Sequence, residues 1–229
     1  MTAMPIAAVR HRSTFARTLV RAGLCVIAAV SCVVAAHAQT VPVRLIGFND
    51  FHGNLEAGNN SLQLADPEHP GHMLKVPVGS AASLAGLVGT LRGEARHSVV
   101  LSSGDLIGAA PLVSTLFKHE STVAVMNAMG LDFSIVGNHE FDGGVDELRR
   151  LVRGECSPAS APGTPCADGK YPGMRFTMLA ANVIDADGQP IFAPTLVKEF
   201  EGLKIGFIGV VTRTTPGIVR PSEIGRAHV

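Results

Sequence analysis

Three short segments place metal-ligating and proton-transferring side chains at defined spacing: Asp50-Phe51-His52, Gly104-Asp105 and Gly137-Asn138-His139-Glu140-Phe141-Asp142. If strand geometry persists through Asp50 and His52, both project to one side and can share one cation. Mixed oxygen and nitrogen donors suit hard and borderline divalent metals. Asp105 follows a glycine turn and can bridge two cations, while Asn138 offers a neutral carbonyl oxygen to the second. Two cations about 3.5–4 Å apart can hold a bridging hydroxide and clamp a phosphate for in-line attack. The candidate ligands are therefore Asp50, His52, Asp105 and Asn138, for two divalent ions drawn from Zn, Mn, Co, Mg or Ca. His139 turns away from the neighbouring ligand and reads as catalytic, stabilising the transition state and protonating the leaving oxygen. Asp142, three residues on, is placed to orient and charge that imidazole. For Glu140 a structural hydrogen bond and a chemical role stand side by side.

Each segment follows an apolar run, and residues 41–48, 98–101 and 133–136 read as strands. In a parallel sheet they would all emerge at the carboxyl edge, where ligands of open α/β sheets bind. Helices are predicted over residues 80–96, over 111–129 with Gly130 as C-cap, and over 145–152. Residues 53–78 carry Gly, Asn, Pro and His without clear period and read as a long loop. A fourth strand, 176–180, ends near Asn182, a turn residue or an additional residue of the active-site rim. Residues 195–200 and 204–211, around Glu201-Gly202, read as a hairpin. Strands alternating with helices and then a hairpin give an α/β sandwich with a mixed sheet. His69, His72, His97 and His119 have no partner at ligand spacing and read as surface residues.

The remaining composition sets the context. The 229 residues carry 19 basic and 19 acidic side chains, which offers no electrostatic footprint for a nucleic acid polymer. One Tyr and no Trp argue against an aromatic carbohydrate platform. Arg10, Arg12, Arg17 and Arg21 precede an apolar run and then Ala36-His37-Ala38, the pattern of a secretory signal peptide over residues 1–38. The run is shorter than the ~20 residues of a membrane span, so no stable insertion is expected after cleavage. A retained anchor or a lipid-modified Cys32 are the alternatives. Export implies a periplasmic or secreted protein, in which Cys156 and Cys166 most simply form a disulfide that staples a Pro/Ser-rich loop. Residues 223–229 continue no pattern and read as the translation of a sequencing-library adapter, so a non-native tail is expected there.

Taken in order, Asp50-Phe51-His52-Gly53, Gly104-Asp105 and Gly137-Asn138-His139-Glu140 resemble the motif set of the calcineurin-like metallophosphoesterase superfamily. Asn49 before the first motif, Ser103 before the second, and Phe141-Asp142 after the third look like its exported bacterial 5′-nucleotidase branch. That branch includes UDP-sugar hydrolases and 2′,3′-cyclic-nucleotide phosphodiesterases. The resemblance implies Asp50 and His52 on the first metal, Asp105 as bridge, Asn138 on the second metal, and His139 with Asp142 as the catalytic dyad. Asn182 matches an Ala-Asn segment of the family. The implied activity is hydrolysis of small nucleotide-type or nucleotide-sugar phosphoesters. The alternatives are thiosulfohydrolase-type hydrolysis on the same scaffold and non-catalytic periplasmic capture of nucleotide or metal. The family completes its site with a further His and a Gly-His-x-His-type segment, and holds the base in a C-terminal domain. Neither occurs here, so residues 39–222 are expected to be an incomplete metallophosphatase domain. Alone, it is expected to bind metal weakly and turn over poorly.

Overall fold

The computed structural model describes residues 40–58, 61–157, 166, 171–185 and 187–219. The expected signal peptide and the expected non-native tail lie outside the described residues. The chain divides into two units, Met1–Thr40 and Val41–Val229, and every element below belongs to the second.

Four parallel strands carry the fold: β1 (Arg44–Phe48), β4 (Ser98–Ser102), β5 (Phe133–Ile135) and β6 (Thr177–Leu179), hydrogen-bonded in the order β1-β4-β5-β6. Alternation along the strands feeds two cores, because successive side chains point to opposite faces. Val100 and Met178 join the core with Val123, Met126, Leu148 and Leu151 from α3 (Glu120–Met129) and α4 (Gly144–Arg153). Val99, Phe133 and Leu179 face the other way, against Leu196, Phe200 and Phe207 of an antiparallel hairpin, β7 (Thr195–Phe200) and β8 (Leu203–Ile208). The sheet thus lies between helices and hairpin. Each fully buried side chain of this kind contributes roughly 1.5–3 kcal/mol.

Local chemistry explains most boundaries. Ser80 caps α1 (Ala81–Gly93), its Oγ accepting from Ser83 N–H at 3.2 Å. Gly130 closes α3 in the left-handed conformation, φ 76°. Glu201 and Gly202, at φ 50° and 85°, make the tight turn between β7 and β8. Asp132 ties the start of β5 to the layers around it, accepting from Val100 N–H at 2.8 Å and pairing with Lys198 at 2.8 Å.

Two expectations are corrected. The predicted loop 53–78 holds an antiparallel hairpin, β2 (Ser61–Ala65) and β3 (Met73–Pro77). Leu62 and Leu64 oppose Val76 and Leu74, and Asp66 organises the turn by accepting from Glu68 and His69 N–H. The predicted helix 111–129 is two helices, α2 (Leu112–Thr115) and α3, separated by Lys118 and His119 at φ 51° and 62°. Consecutive left-handed residues cannot continue a right-handed helix. Accordingly Leu112 and Leu116 are 73% and 53% exposed, while Val123, Met126 and Met129 are buried. A last short helix, α5, covers Thr215–Ile218. The structure joins Cys156 to Cys166.

Candidate active site

β1, β4 and β5 deliver the three motifs to one carboxyl edge, but not with strand geometry. Past Phe48 the chain turns left-handed at Asp50 (φ 53°) and His52 (φ 47°), and Asp105 does the same at φ 54°. For residues other than glycine such positions cost roughly 1–3 kcal/mol and persist only where the surroundings over-determine them. Here a ladder of backbone bonds does so: Ser103 N–H to Phe48 O at 2.9 Å, Asp50 N–H to Gly104 O at 3.1 Å, His52 N–H to Asp105 O at 2.9 Å, and Gly53 N–H to Leu106 O at 3.0 Å. The two loops are zipped together as a continuation of the parallel pairing.

The ladder gathers donors. One ligand atom each from Asp50, His52 and Asp105 lies within 4.8 Å of the others. His52 Nδ1 is engaged with Gly108 O at 2.9 Å, which fixes the ring and leaves Nε2, 3.7 Å from Asp50 Oδ1, with a free lone pair. Asn49 Nδ2 donates to Asp50 Oδ2. Asp105 Oδ1 accepts from His139 N–H at 2.9 Å, so that carboxylate is oriented too. Two carboxylates and an imidazole held by outer hydrogen bonds fit a divalent cation of the hard or borderline kind. Asn138 is half-buried on the adjacent turn. Its backbone carbonyl accepts from Phe141 N–H at 3.1 Å, and its side-chain amide makes no hydrogen bond among the described residues.

His139 and Asp142 form a pair, Nδ1 to Oδ2 at 2.9 Å, and Asp142 Oδ2 also accepts from Ala109 N–H at 3.1 Å. The hydrogen bond donated to Asp142 raises the imidazole pKa against the opposing effect of burial, and the charges of Asp142, Asp105 and Glu140 add to it. The His139 ring meets His52 edge to face, centroids 4.9 Å apart. Gly108 makes this approach possible, since a Cβ there would stand 2.5 Å from both Asp142 Oδ2 and His139 O.

Glu140, left open between two roles, is fully buried and accepts from Asp105 N–H at 2.9 Å, Leu106 N–H at 2.8 Å and Gly137 N–H. Burial pushes its carboxyl up to about 7, with the backbone donors pulling the other way. It fastens the Asp105 loop to the His139 turn. Asn182 spends both ends of its amide on Val211, accepting from N–H at 3.0 Å and donating to O at 2.8 Å, as a backbone clamp. His97 and His119 are not surface residues: His97 is bonded to Glu201 at 2.9 Å, and half-buried His119 to Ser114 at 3.1 Å. Two cavities flank the edge. One of about 530 Å³ opens beside Asp50, Asn54, Ser80 and Leu84; another of about 340 Å³ adjoins His139, Asp142, Lys118 and Glu147.

No family model matches the sequence. The chain is 41% identical over 164 residues to an uncharacterised protein of the pqq-V 5′ region in Acinetobacter calcoaceticus, covering 70% of this chain and 80% of that one. It is 32% identical over 174 residues to a probable 5′-nucleotidase of Treponema pallidum, covering 74% of this chain and 25% of that protein. The structure of the NAD nucleotidase of Haemophilus influenzae superposes with a TM-score of 0.57 at 28% identity, over 75% of this chain and 26% of that one. Other relatives carry the names 2′,3′-cyclic-nucleotide 2′-phosphodiesterase/3′-nucleotidase and, in Bacillus subtilis, endonuclease YhcR. The chain spans about a quarter of the length of the nucleotidase relatives it matches. Sequence likeness to proteins named as nucleotidases and a fold shared with two solved nucleotidases agree with the motif resemblance to the calcineurin-like metallophosphoesterase superfamily and its branch of 5′-nucleotidases and 2′,3′-cyclic phosphodiesterases.

Proposed function

We propose that the site hydrolyses small nucleotide-type phosphoesters with two divalent cations, Asp50 and His52 serving the first, Asp105 bridging, and Asn138 serving the second. The observation that carries this reading is the convergence of the Asp50, His52 and Asp105 donors within 4.8 Å beside the hydrogen-bonded His139–Asp142 pair. When bound, such cations activate a water and neutralise charge on the phosphoryl oxygens. The chain supplies the rest. Asp142 fixes the Nδ1–H tautomer of His139, so Nε2 is the nitrogen that carries and gives up a proton to the leaving oxygen. Asp105 is held by the His139 backbone N–H, and Glu140 keeps the two loops in register, so the ligands and the proton donor move as one unit. Glu140 and Asn182 act as structural groups in this reading.

The neutral charge balance favours small substrates over polymeric nucleic acid. We place the protein outside the cytoplasm, periplasmic or secreted. The Cys156–Cys166 disulfide supports this, as does a Listeria monocytogenes relative named a cell wall protein. Among the described residues no helix is long and apolar enough to cross a membrane.

The test is hydrolysis of 5′-AMP read as phosphate release, of 2′,3′-cyclic AMP and UDP-glucose read as the appearance of nucleoside monophosphate, and of plasmid DNA, the polymeric arm, read as nicking, in Mn²⁺, Co²⁺ or Zn²⁺. Slow cation-dependent release from a nucleotide, lost in Asp105→Asn, is expected. Turnover undiminished in EDTA removes the proposal. Nucleotide binding without hydrolysis, surviving His139→Ala, favours a capture protein instead.

A further inference from the structure

We infer that Ser114 is a positioning residue for the Asp50–His52 loop, setting its place on the sheet edge through Gly53. This rests on the metal-site reading above and deepens it. Gly53 follows His52 and holds φ 57°. A Cβ on Gly53 would stand 2.6 Å from Ser114 Cβ, closer still to Ser114 Oγ, and 3.1 Å from Ala110 Cβ. The bare Cα of the ligand loop is therefore pressed directly against Ser114.

Ser114 cannot retreat. It is fully buried, and its hydroxyl lies 2.7 Å from Thr122 Oγ1 and 3.1 Å from His119 Nδ1. Its carbonyl accepts from His119 N–H at 2.9 Å. The left-handed pair Lys118-His119 folds the chain back so that His119 holds Ser114 at both points. Burial disfavours the charged form of the His119 ring, and in the neutral form Nδ1 can accept from the serine hydroxyl, which can in turn accept from Thr122. On its other side the loop is held by the ladder to Gly104, Asp105 and Leu106 and by the His52–Gly108 bond. The loop is caught between two fixed walls, and Ser114 acts on the His52 ligand only through the Gly53 backbone.

The test uses the full chain and Co²⁺ alone, whose visible absorption reports ligand number and geometry, with thermal unfolding measured on every variant. Gly53→Ala should weaken Co²⁺ binding by about 10- to 100-fold, the usual loss when support behind a ligand is disturbed. Ser114→Gly removes the opposing atoms. The double variant Gly53→Ala/Ser114→Gly should therefore bind Co²⁺ more tightly than Gly53→Ala, although it carries one more substitution. Thr122→Val, close in shape but without the hydroxyl, should weaken binding in the wild-type background and leave it unchanged in the Ser114→Gly background. That second cycle decides the matter should Gly53→Ala not fold. Additive effects in both cycles overturn the role of Ser114 and leave the metal site standing. A wild-type chain that leaves the spectrum of aqueous Co²⁺ unchanged removes both readings together.

Discussion

Replacing Arg150 by methionine should destabilise the protein far more than an ordinary helix substitution. The Arg150 side chain is 9% exposed and grips Glu147 through two bonds, Nε to Oε2 at 2.8 Å and Nη2 to Oε1 at 2.9 Å. Nη1 reaches Glu120 Oε1 at 2.9 Å and Glu155 O at 2.7 Å, and Nη2 reaches Lys118 O at 3.3 Å. Glu147 is part-exposed and can turn to water. Glu120 cannot: it is fully buried, and its Oε2 already has no partner. Removing the guanidinium leaves that carboxylate buried and uncompensated, at a cost of about 3–5 kcal/mol. At roughly 2–4 °C per kcal/mol for a chain of this size, the melting temperature should fall by about 6–20 °C. Arg150→Met/Glu120→Leu removes the orphaned charge and should recover most of the loss, leaving chiefly the two carbonyls without their donor, about 1–2 kcal/mol. Thermal and urea unfolding of the two variants provide the assay. A single variant within 1 kcal/mol of wild type, or a double variant no more stable than the single, refutes the reasoning.

Asp142→Asn should lower kcat by about 10²–10⁴ while leaving the Co²⁺ spectrum unchanged, because it removes the group that orients and charges His139 without touching a ligand; steady-state rates on 5′-AMP decide it. Cys156→Ser/Cys166→Ser opens a loop with a sequence separation of 10 and should cost about 2–3 kcal/mol, read as a lower melting temperature that dithiothreitol no longer changes. Burial lowers the His119 pKa below its ordinary 6.5, against the charges of Glu147 and Asp142 and with those of Lys118 and Arg150. The unfolded chain then binds this proton more readily, so the stability contributed is intact above about pH 6.5 and is lost as pH falls below it. His119→Asn, a residue at ease at φ 62°, should therefore flatten the fall in melting temperature between pH 7.5 and 5.5, and an unchanged slope counts against it.

The strands feeding the site were legible because each is an apolar run; β4 and β5 are covered on both faces, by helices and by the β7–β8 hairpin, whereas Leu45 of β1 stays exposed. Burial on both sides writes itself into the sequence as Val99-Val100 or Phe133-Ser134-Ile135. The β2–β3 hairpin was missed for the converse reason. Leu62, Leu64 and Leu74 alternate correctly but stay exposed, and the Pro, Gly and His residues of the turn dominate the composition. The break between α2 and α3 carries no glycine or proline. It is imposed by side-chain contacts: Glu120 turns inward to Arg150 of α4, outside the segment, and His119 reaches back to Ser114 within it. Nothing in residues 111–129 alone announces either contact.

The site itself shows the same division between what local sequence dictates and what tertiary contact imposes. Side-chain types and order were enough to select Asp50, His52 and Asp105, but the geometry that unites them was not the strand projection that their spacing suggests. All three sit at positive φ, a state that a free Asp or His avoids by about 1–2 kcal/mol. An isolated Asp-Phe-His peptide would therefore not hold this arrangement. It is held because each strained residue lies between bonds that a relaxed backbone would break: Asp50 to Gly104, His52 to Asp105, Asp105 to Glu140. Left-handed turns tip the side chains off the strand axes toward a common point, which straight strands 4.7–4.9 Å apart could not do for successive loops. The strain is thus the means by which a parallel sheet edge becomes a cluster of donors. Substitutions that relax it should loosen metal binding before they lower global stability.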